Sequence, residues 1–248
     1  HQVEIDAAAE LVGFFRFNVS YLSELYAQQP ISGPGMWNRL EYRPLDGFVF
    51  AVSPFNFTSI AGNLSAAPAM CGNTVVWKPA STAVYSGQVL MELFEAAGLP
   101  PGVINFVPGP GSVIGPIAMA HPMLAGIHFT GSTATFNNMW RTVASNLETY
   151  RSYPRIVGET GGKDFLFAHA SADREAVVHA IIGGAFSYQG QKCSATSRAY
   201  IPRSIWPDIK EGLIRETADL KPGNVEDFTH YMGAVIDQSS FDNIKAYI

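Results

Sequence analysis

The chain has little with which to cross-link itself: two cysteines, Cys71 and Cys193, in 248 residues. One lies among small apolar residues (Ala69-Met70-Cys71-Gly72) and the other beside Lys192, so no disulfide framework is expected and a reducing compartment fits better. Long apolar runs are missing too. The longest, Ala176 to Phe186, is interrupted by His179 and is too short to span a bilayer, so no membrane partner is expected. Positive charge is not in excess; the formal net charge of -5 leaves no basic footprint for nucleic acid. The six histidines show no metal-ligand spacing, and no metal is expected. There is no internal repeat and no low-complexity tract. Position 1 has no initiator Met, no signal-type apolar region and no Arg/Ser-rich transit segment. The sequence opens and closes inside helix-like patterns, which reads as a chain cut at both ends.

What is present is core-forming material, 47% hydrophobic against 15% charged residues, in a length that allows one large domain or two smaller ones. Residues 3 to 27 carry Val3, Ala7, Leu11, Phe14, Phe15, Val19, Leu22, Leu25 and Tyr26 at helical spacing, an amphipathic helix ended by Gly33-Pro34-Gly35. Trp37 to Arg43 and Gly47 to Val52 read as two extended runs around a turn at Pro44-Leu45-Asp46-Gly47. Short apolar runs at 47–52, 74–77, 104–107 and 126–129 then alternate with helix-length segments at 60–70, 82–97, 112–121 and 135–147. Strands alternating with helices predict an α/β fold with a mostly parallel sheet, whose ligands bind beyond the carboxyl ends of the strands. Further strands are expected at 155–159, 165–168 and 197–201, with helices at 175–188 (capped by Asp173), 206–220 and 240–248.

Several polar residues sit where those apolar runs end. Cys193 lies in Gly190-Gln191-Lys192-Cys193-Ser194-Ala195, a tight connection in which the neighbouring Lys192 favours a thiolate. The residues alone leave nucleophile and packing residue both open. Asn56, in Ser53-Pro54-Phe55-Asn56-Phe57-Thr58, reads either as a turn former or as an amide donor. Glu159, before Gly161-Gly162-Lys163, reads as a solvated turn residue or a general base, and Lys78 in Val76-Trp77-Lys78-Pro79 as a solvated cation or a ligand contact. Gly109-Pro110-Gly111-Ser112-Val113-Ile114-Gly115 is a loose dinucleotide-type glycine pattern, weak by itself.

Taken together and in this order, these motifs and Phe129-Thr130-Gly131-Ser132 resemble the aldehyde dehydrogenase superfamily. The resemblance implies a Rossmann-like sheet followed by the beginning of a second α/β domain, divided as 1–158 for the cofactor and 159–248 for catalysis, with an assembly arm near 36–48. It implies Cys193 as nucleophile, Asn56 as oxyanion donor with the Cys193 backbone N–H, and Glu159 as the base that activates water. Lys163 is taken as structural. Phe57 becomes one wall of an aromatic box around the substrate. NAD would lie on Ser53, Pro54, Lys78, Ser81, Gly111, Gly115, Phe129, Gly131, Ser132, Thr160 and Gly161, its pyrophosphate at a helix start. Many family members carry a Glu where this chain has Ser81; without that carboxylate nothing repels a 2′-phosphate, so NADP stays possible.

Other details resemble the branch of the superfamily that oxidises glutamate γ-semialdehyde, the open form of 1-pyrroline-5-carboxylate, to glutamate in proline breakdown. These are Phe55 before Asn56, Tyr153-Pro154-Arg155, the Cys193 segment itself and Trp206-Pro207. In that reading Ser194 helps anchor the substrate's α-carboxylate. A homo-oligomer is implied, in the mitochondrial matrix for a eukaryotic source and otherwise in the cytoplasm. Two alternatives stay open: an enzyme for another semialdehyde, and a nucleotide-binding module that no longer reacts.

Overall fold

The computed structural model describes residues 2–248, which form two compact units, 2–160 and 161–248. His1, on which the first expected domain opens, lies outside the described residues.

The expected amphipathic helix is one continuous rod in three parts: α1 (Gln2–Ile5), a π-helical turn at Asp6–Glu10, and α2 (Leu11–Ala27). Next come β1 (Phe48–Val52), α3 (Thr58–Met70) and β2 (Thr74–Lys78). A 3-10 turn at Ser81–Ala83 leads into α4 (Val84–Ala96), followed by β3 (Ile104–Phe106) and α5 (Gly111–Ala120). The unit closes with β4 (Leu124–Thr130), α6 (Thr133–Ser145) and β5 (Arg155–Glu159). The strands form one sheet in the order β3-β2-β1-β4-β5, and every pairing is parallel.

Side-chain alternation along the strands sorts the core into two layers, as period-2 geometry requires. Val49, Ala51, Val75 and Trp77 face one way, packing with Leu11, Ala61, Leu90 and Phe94. Phe50, Ile127 and Phe129 face the other, against Met119 of α5 and Met139 and Val143 of α6. The N-terminal rod docks on α3 where Leu11 meets Gly62. A Cβ at Gly62 would lie 2.9 Å from the Leu11 Cδ1, so glycine is what lets the two helices approach.

One expected strand is not there. Trp37 to Arg43 was expected as an extended run, but 28–46 contains no regular element. Among the described residues no neighbouring strand offers its backbone a ladder, and side chains hold it instead. Gln29 Oε1 accepts from the Leu40 N–H at 2.8 Å, Asn38 Nδ2 donates to the Ile31 carbonyl at 2.8 Å, and Tyr42 donates to the Gln28 carbonyl at 3.0 Å. Ile31 and Trp37 stand almost fully in solvent.

In the second unit, β6 (Asp164–Phe167) and β7 (Thr196–Tyr200) pair in parallel. Between them run α7 (Arg174–Phe186) and a tight helical turn at Ser187–Gly190; α8 (Trp206–Ala218) and α9 (Gln238–Lys245) follow. Asp173 caps α7 as expected, its carboxylate accepting from the Ala176 N–H at 2.8 Å. The helix ends at Phe186 rather than continuing to Tyr188, because Tyr188 and Gln189 take left-handed backbone angles, φ 62° and 57°. Val177, Val178, Ile182, Ile205 and Ile209 make the core, while Phe165, Phe167 and Tyr200 leave the other face of the strand pair bare.

Phe50 has no exposed surface and Val157 on β5 is 60% exposed. Phe50→Ala is expected to cost about 3–5 kcal/mol of unfolding free energy, and Val157→Thr within ~0.5 kcal/mol of nothing. Urea denaturation of both variants checks the contrast.

Candidate active site

Parallel strands all end on the same edge, so the residues that follow them gather there whatever their distance in sequence. Ser53 to Phe57 follow β1, Lys78 is the last residue of β2, Gly131 and Ser132 follow β4, and Glu159 ends β5. From β1 the chain steps outward to β2 and β3 on one side, then to β4 and β5 on the other. That reversal between β1 and β4 is where a sheet of this kind opens a crevice.

Lys78 is the least ordinary residue in this group. It is 7% exposed, and its ammonium donates to the Pro79 carbonyl at 2.6 Å. Its stem runs beneath the start of α5, since a Cβ on Gly111 would lie 3.5 Å from Lys78 Cε. Loss of hydration lowers its pKa from the ordinary lysine value. The first turn of α5 receives no side-chain cap from Pro110. A buried cation and uncapped helix N–H groups at the same place suit a ligand rich in hydroxyl or phosphate oxygens, as a dinucleotide is.

Ser53 is buried, its hydroxyl accepting from the Trp77 indole at 2.9 Å and its N–H donating to the Lys78 carbonyl at 3.2 Å. Pro54, Asn56 and Phe57 are half-buried in the turn before α3. Ser81 is exposed. Ser132 caps α6, its hydroxyl accepting from the Thr135 N–H at 3.2 Å. The Phe129 ring points into the core and stacks on Phe136 at 5.5 Å, so it shapes the turn from below. Gly115 lies buried in α5. Glu159 is exposed, and its carbonyl accepts from the Gly131 N–H at 3.1 Å, which ties the ends of β4 and β5 together. Thr160 follows it, half-buried.

His128 was not foreseen. It is a polar residue in an apolar strand, with Nδ1 3.0 Å from the Leu64 carbonyl. Burial lowers its pKa, against opposing pulls from that hydrogen bond and from the Glu159 charge. An imidazole amid an apolar strand pattern was the one available signal.

Cys193, Ser194 and Gly161 belong to the second unit. Cys193 is half-buried in the turn before β7. Its carbonyl accepts from the Gly162 N–H at 3.1 Å, and a Cβ on Gly162 would sit 2.7 Å from that oxygen. The second glycine of the Gly161-Gly162 pair therefore serves the cysteine turn itself. Upstream, Tyr188, Gln189 and Gly190 all have positive φ, an arrangement that costs about 1–2 kcal/mol for each of the two non-glycine residues. Gln191 holds this turn, its Nε2 donating to the Tyr188 carbonyl and its Oε1 accepting from the Ile236 N–H at 3.0 Å. The Lys192 ammonium donates to the Ser187 hydroxyl at 3.1 Å and lies over the Tyr188 ring. Ser194 is exposed beside the cysteine. Among the described residues no group of three or more His, Cys, Asp or Glu could hold a metal ion.

Two measurements test this geometry. Gly162→Ala is expected to cost roughly 1–3 kcal/mol by forcing apart Gly162 and the Cys193 carbonyl. In that variant iodoacetamide should modify Cys193 at a changed rate while Cys71 reacts as before. Lys78 binds its proton less tightly in the fold than in the unfolded chain. Stability should therefore rise as pH climbs towards the ordinary lysine value, and Lys78→Met should flatten that rise in urea titrations.

Residues 2–248 match the aldehyde dehydrogenase family. The chain is 54% identical over 250 residues to the mitochondrial delta-1-pyrroline-5-carboxylate dehydrogenase of Dictyostelium discoideum, a match covering 100% of this chain and 45% of that one. The human mitochondrial protein of the same name is 51% identical over 248 residues, with 44% of it covered. The crystal structure of the Mycobacterium tuberculosis delta-pyrroline-5-carboxylate dehydrogenase bound with NAD is similar at TM-score 0.95 and 57% identity, over 98% of this chain and 46% of that one. The chain thus spans about half the length of the relatives it matches. With the matching residues running from one end of the described chain to the other, the protein belongs to the aldehyde dehydrogenase family.

Proposed function

We propose that the protein oxidises glutamate γ-semialdehyde, the open form of 1-pyrroline-5-carboxylate, to glutamate with NAD. The observation that carries this reading is the buried Lys78 at the end of β2, beside the uncapped start of α5, in a chain with relatives named for that activity. Cofactor binding is assigned to 1–158 and the nucleophile to 159–248. NAD would be held by Lys78 with Ser53, Pro54 and Ser81, by the turns at Gly111–Gly115 and Phe129–Ser132, and by Thr160 and Gly161. When bound, it supplies the hydride acceptor. NADP is a second possibility, because Ser81 places no carboxylate against a 2′-phosphate.

Cys193, as thiolate, attacks the aldehyde carbon and forms a thiohemiacetal. The Asn56 amide and the Cys193 backbone N–H donate to the oxygen that becomes negative. Loss of hydride leaves a thioester on Cys193, and Glu159 takes a proton from the water that hydrolyses it. Phe57 flanks the aldehyde chain and Ser194 donates to the α-carboxylate. The exposure of Trp37 and Leu40 in the segment near 36–48 supports a role for that arm in assembly between copies of the chain. For a eukaryotic source the location would be the mitochondrial matrix, and for a bacterial one the cytoplasm; the Dictyostelium and human relatives are named as mitochondrial.

NADH formation by the purified protein should be faster with glutamate semialdehyde than with succinate semialdehyde. Cys193→Ser should abolish it and leave NAD binding intact. Asn56→Ala should lower kcat about 10²–10³-fold. Glu159→Gln should let the thioester accumulate, seen as a mass increase on Cys193. A protein that binds NAD yet never loads aldehyde onto Cys193 would instead be a nucleotide-binding module.

A further inference from the structure

The turn that carries Asn56 joins β1 to α3, and α3 begins without a side-chain cap of its own at Phe57. Both ends of this turn are nevertheless pinned by residues distant in sequence. At its start, the buried Ser53 hydroxyl accepts from Trp77 Nε1 at 2.9 Å. At its end, the Ser59 hydroxyl, with no exposed surface, donates to Glu10 Oε2 at 2.5 Å.

Each pin is itself anchored. Trp77 has no exposed surface and meets the edge of Phe106 at a centroid distance of 4.9 Å. Glu10 is the last residue of the π-helical turn, and Leu11, next in the chain, presses on Gly62 of α3. About two turns further along the same rod, Asn18 Nδ2 donates to Asn63 Oδ1 at 2.7 Å and sets the rod against α3. A π-helical turn takes up an extra residue and so re-aims the side chains it carries. Here it brings a carboxylate to the first turn of α3, where the helix dipole favours negative charge.

We propose that Glu10 and Trp77 are positioning residues, a two-ended clamp that holds residues 53–59 so that the Asn56 amide stays aimed at the forming oxyanion. This rests on the reading of Asn56 given above. Neither residue touches the reacting atoms. Their effect follows from the demand that an oxyanion donor be in place before the charge develops, because a displacement of about 1 Å costs on the order of 10²-fold in rate.

The test compares Glu10→Ala, Glu10→Gln and Trp77→Phe with the unaltered protein. Glu10→Gln retains an oxygen for Ser59; Trp77→Phe keeps an aromatic side chain, smaller than the indole, and loses the N–H. Two quantities are read: amide hydrogen exchange in peptides spanning 53–60 and 124–130, and kcat beside KM for NAD. Glu10→Ala is expected to speed exchange in 53–60 alone and lower kcat about 10–100-fold at unchanged KM. Glu10→Gln should restore most of both. Trp77→Phe should loosen the start of the same turn; should it fail to fold, Glu10→Ala still decides. Unchanged exchange in 53–60 would overturn the clamp. A loosened turn with full kcat would equally overturn it, leaving Glu10 as a helix-docking contact. If the unaltered protein turns over no aldehyde, the proposed function fails, and the exchange comparison alone then upholds or overturns the clamp.

Discussion

In the first unit, the candidate site depends on β1 lying between two parallel neighbours. Its hydrogen bonds to β2 and β4 set Val52 level with both Lys78 and Phe129, so residues 77 positions apart in sequence finish on one line. A parallel ladder leaves strands no short return, and each crossover is a helix that covers a face. At the carboxyl ends the chain leaves the sheet and turns towards those helices. Lys78, Asn56, Gly131 and Glu159 share an edge for this reason, before any chemistry is assigned to them.

The second unit solves a different problem. A cysteine carried in a tight turn needs a backbone that regular structure cannot supply, and here two non-glycine residues adopt left-handed angles just upstream of it. Such a turn persists only where its surroundings over-determine it. Gln191 bonds to both the Tyr188 carbonyl and the Ile236 N–H, and Gly162 admits the Cys193 carbonyl at a distance that any side chain would forbid. The cost of the turn is thus offset by bonds from residues well separated in sequence.

The clamp on residues 53–59 has the same character. Neither Glu10 nor Trp77 belongs to the motif around Asn56. Each acts through a hydroxyl that the motif or its helix presents, across 49 and 24 positions of chain. Their partners are buried, where an unsatisfied hydroxyl or indole N–H is costly, so such bonds specify one arrangement rather than merely adding to stability.

Much of this was legible beforehand. The alternation of apolar runs with helix-length segments foretold the parallel sheet, because periods of 2 and 3.6 are consequences of local backbone geometry. The Asp173 cap and the placement of the motifs around Asn56, Lys78, Gly131 and Glu159 at strand ends followed from the same local rules. The run at 37–43 was misread as a strand, since a strand needs a partner and apolar residues alone do not provide one. The burial of Lys78, the core-facing ring of Phe129, the left-handed pair at Tyr188 and Gln189, and the bonds from Glu10 and Trp77 left no local trace. The sequence by itself determined the family, the order of elements and the residue types available for chemistry, all of which depend on near neighbours or on whole motifs. Tertiary structure alone decided which of those side chains are buried, strained or clamped, because these depend on packing between segments that only folding brings together.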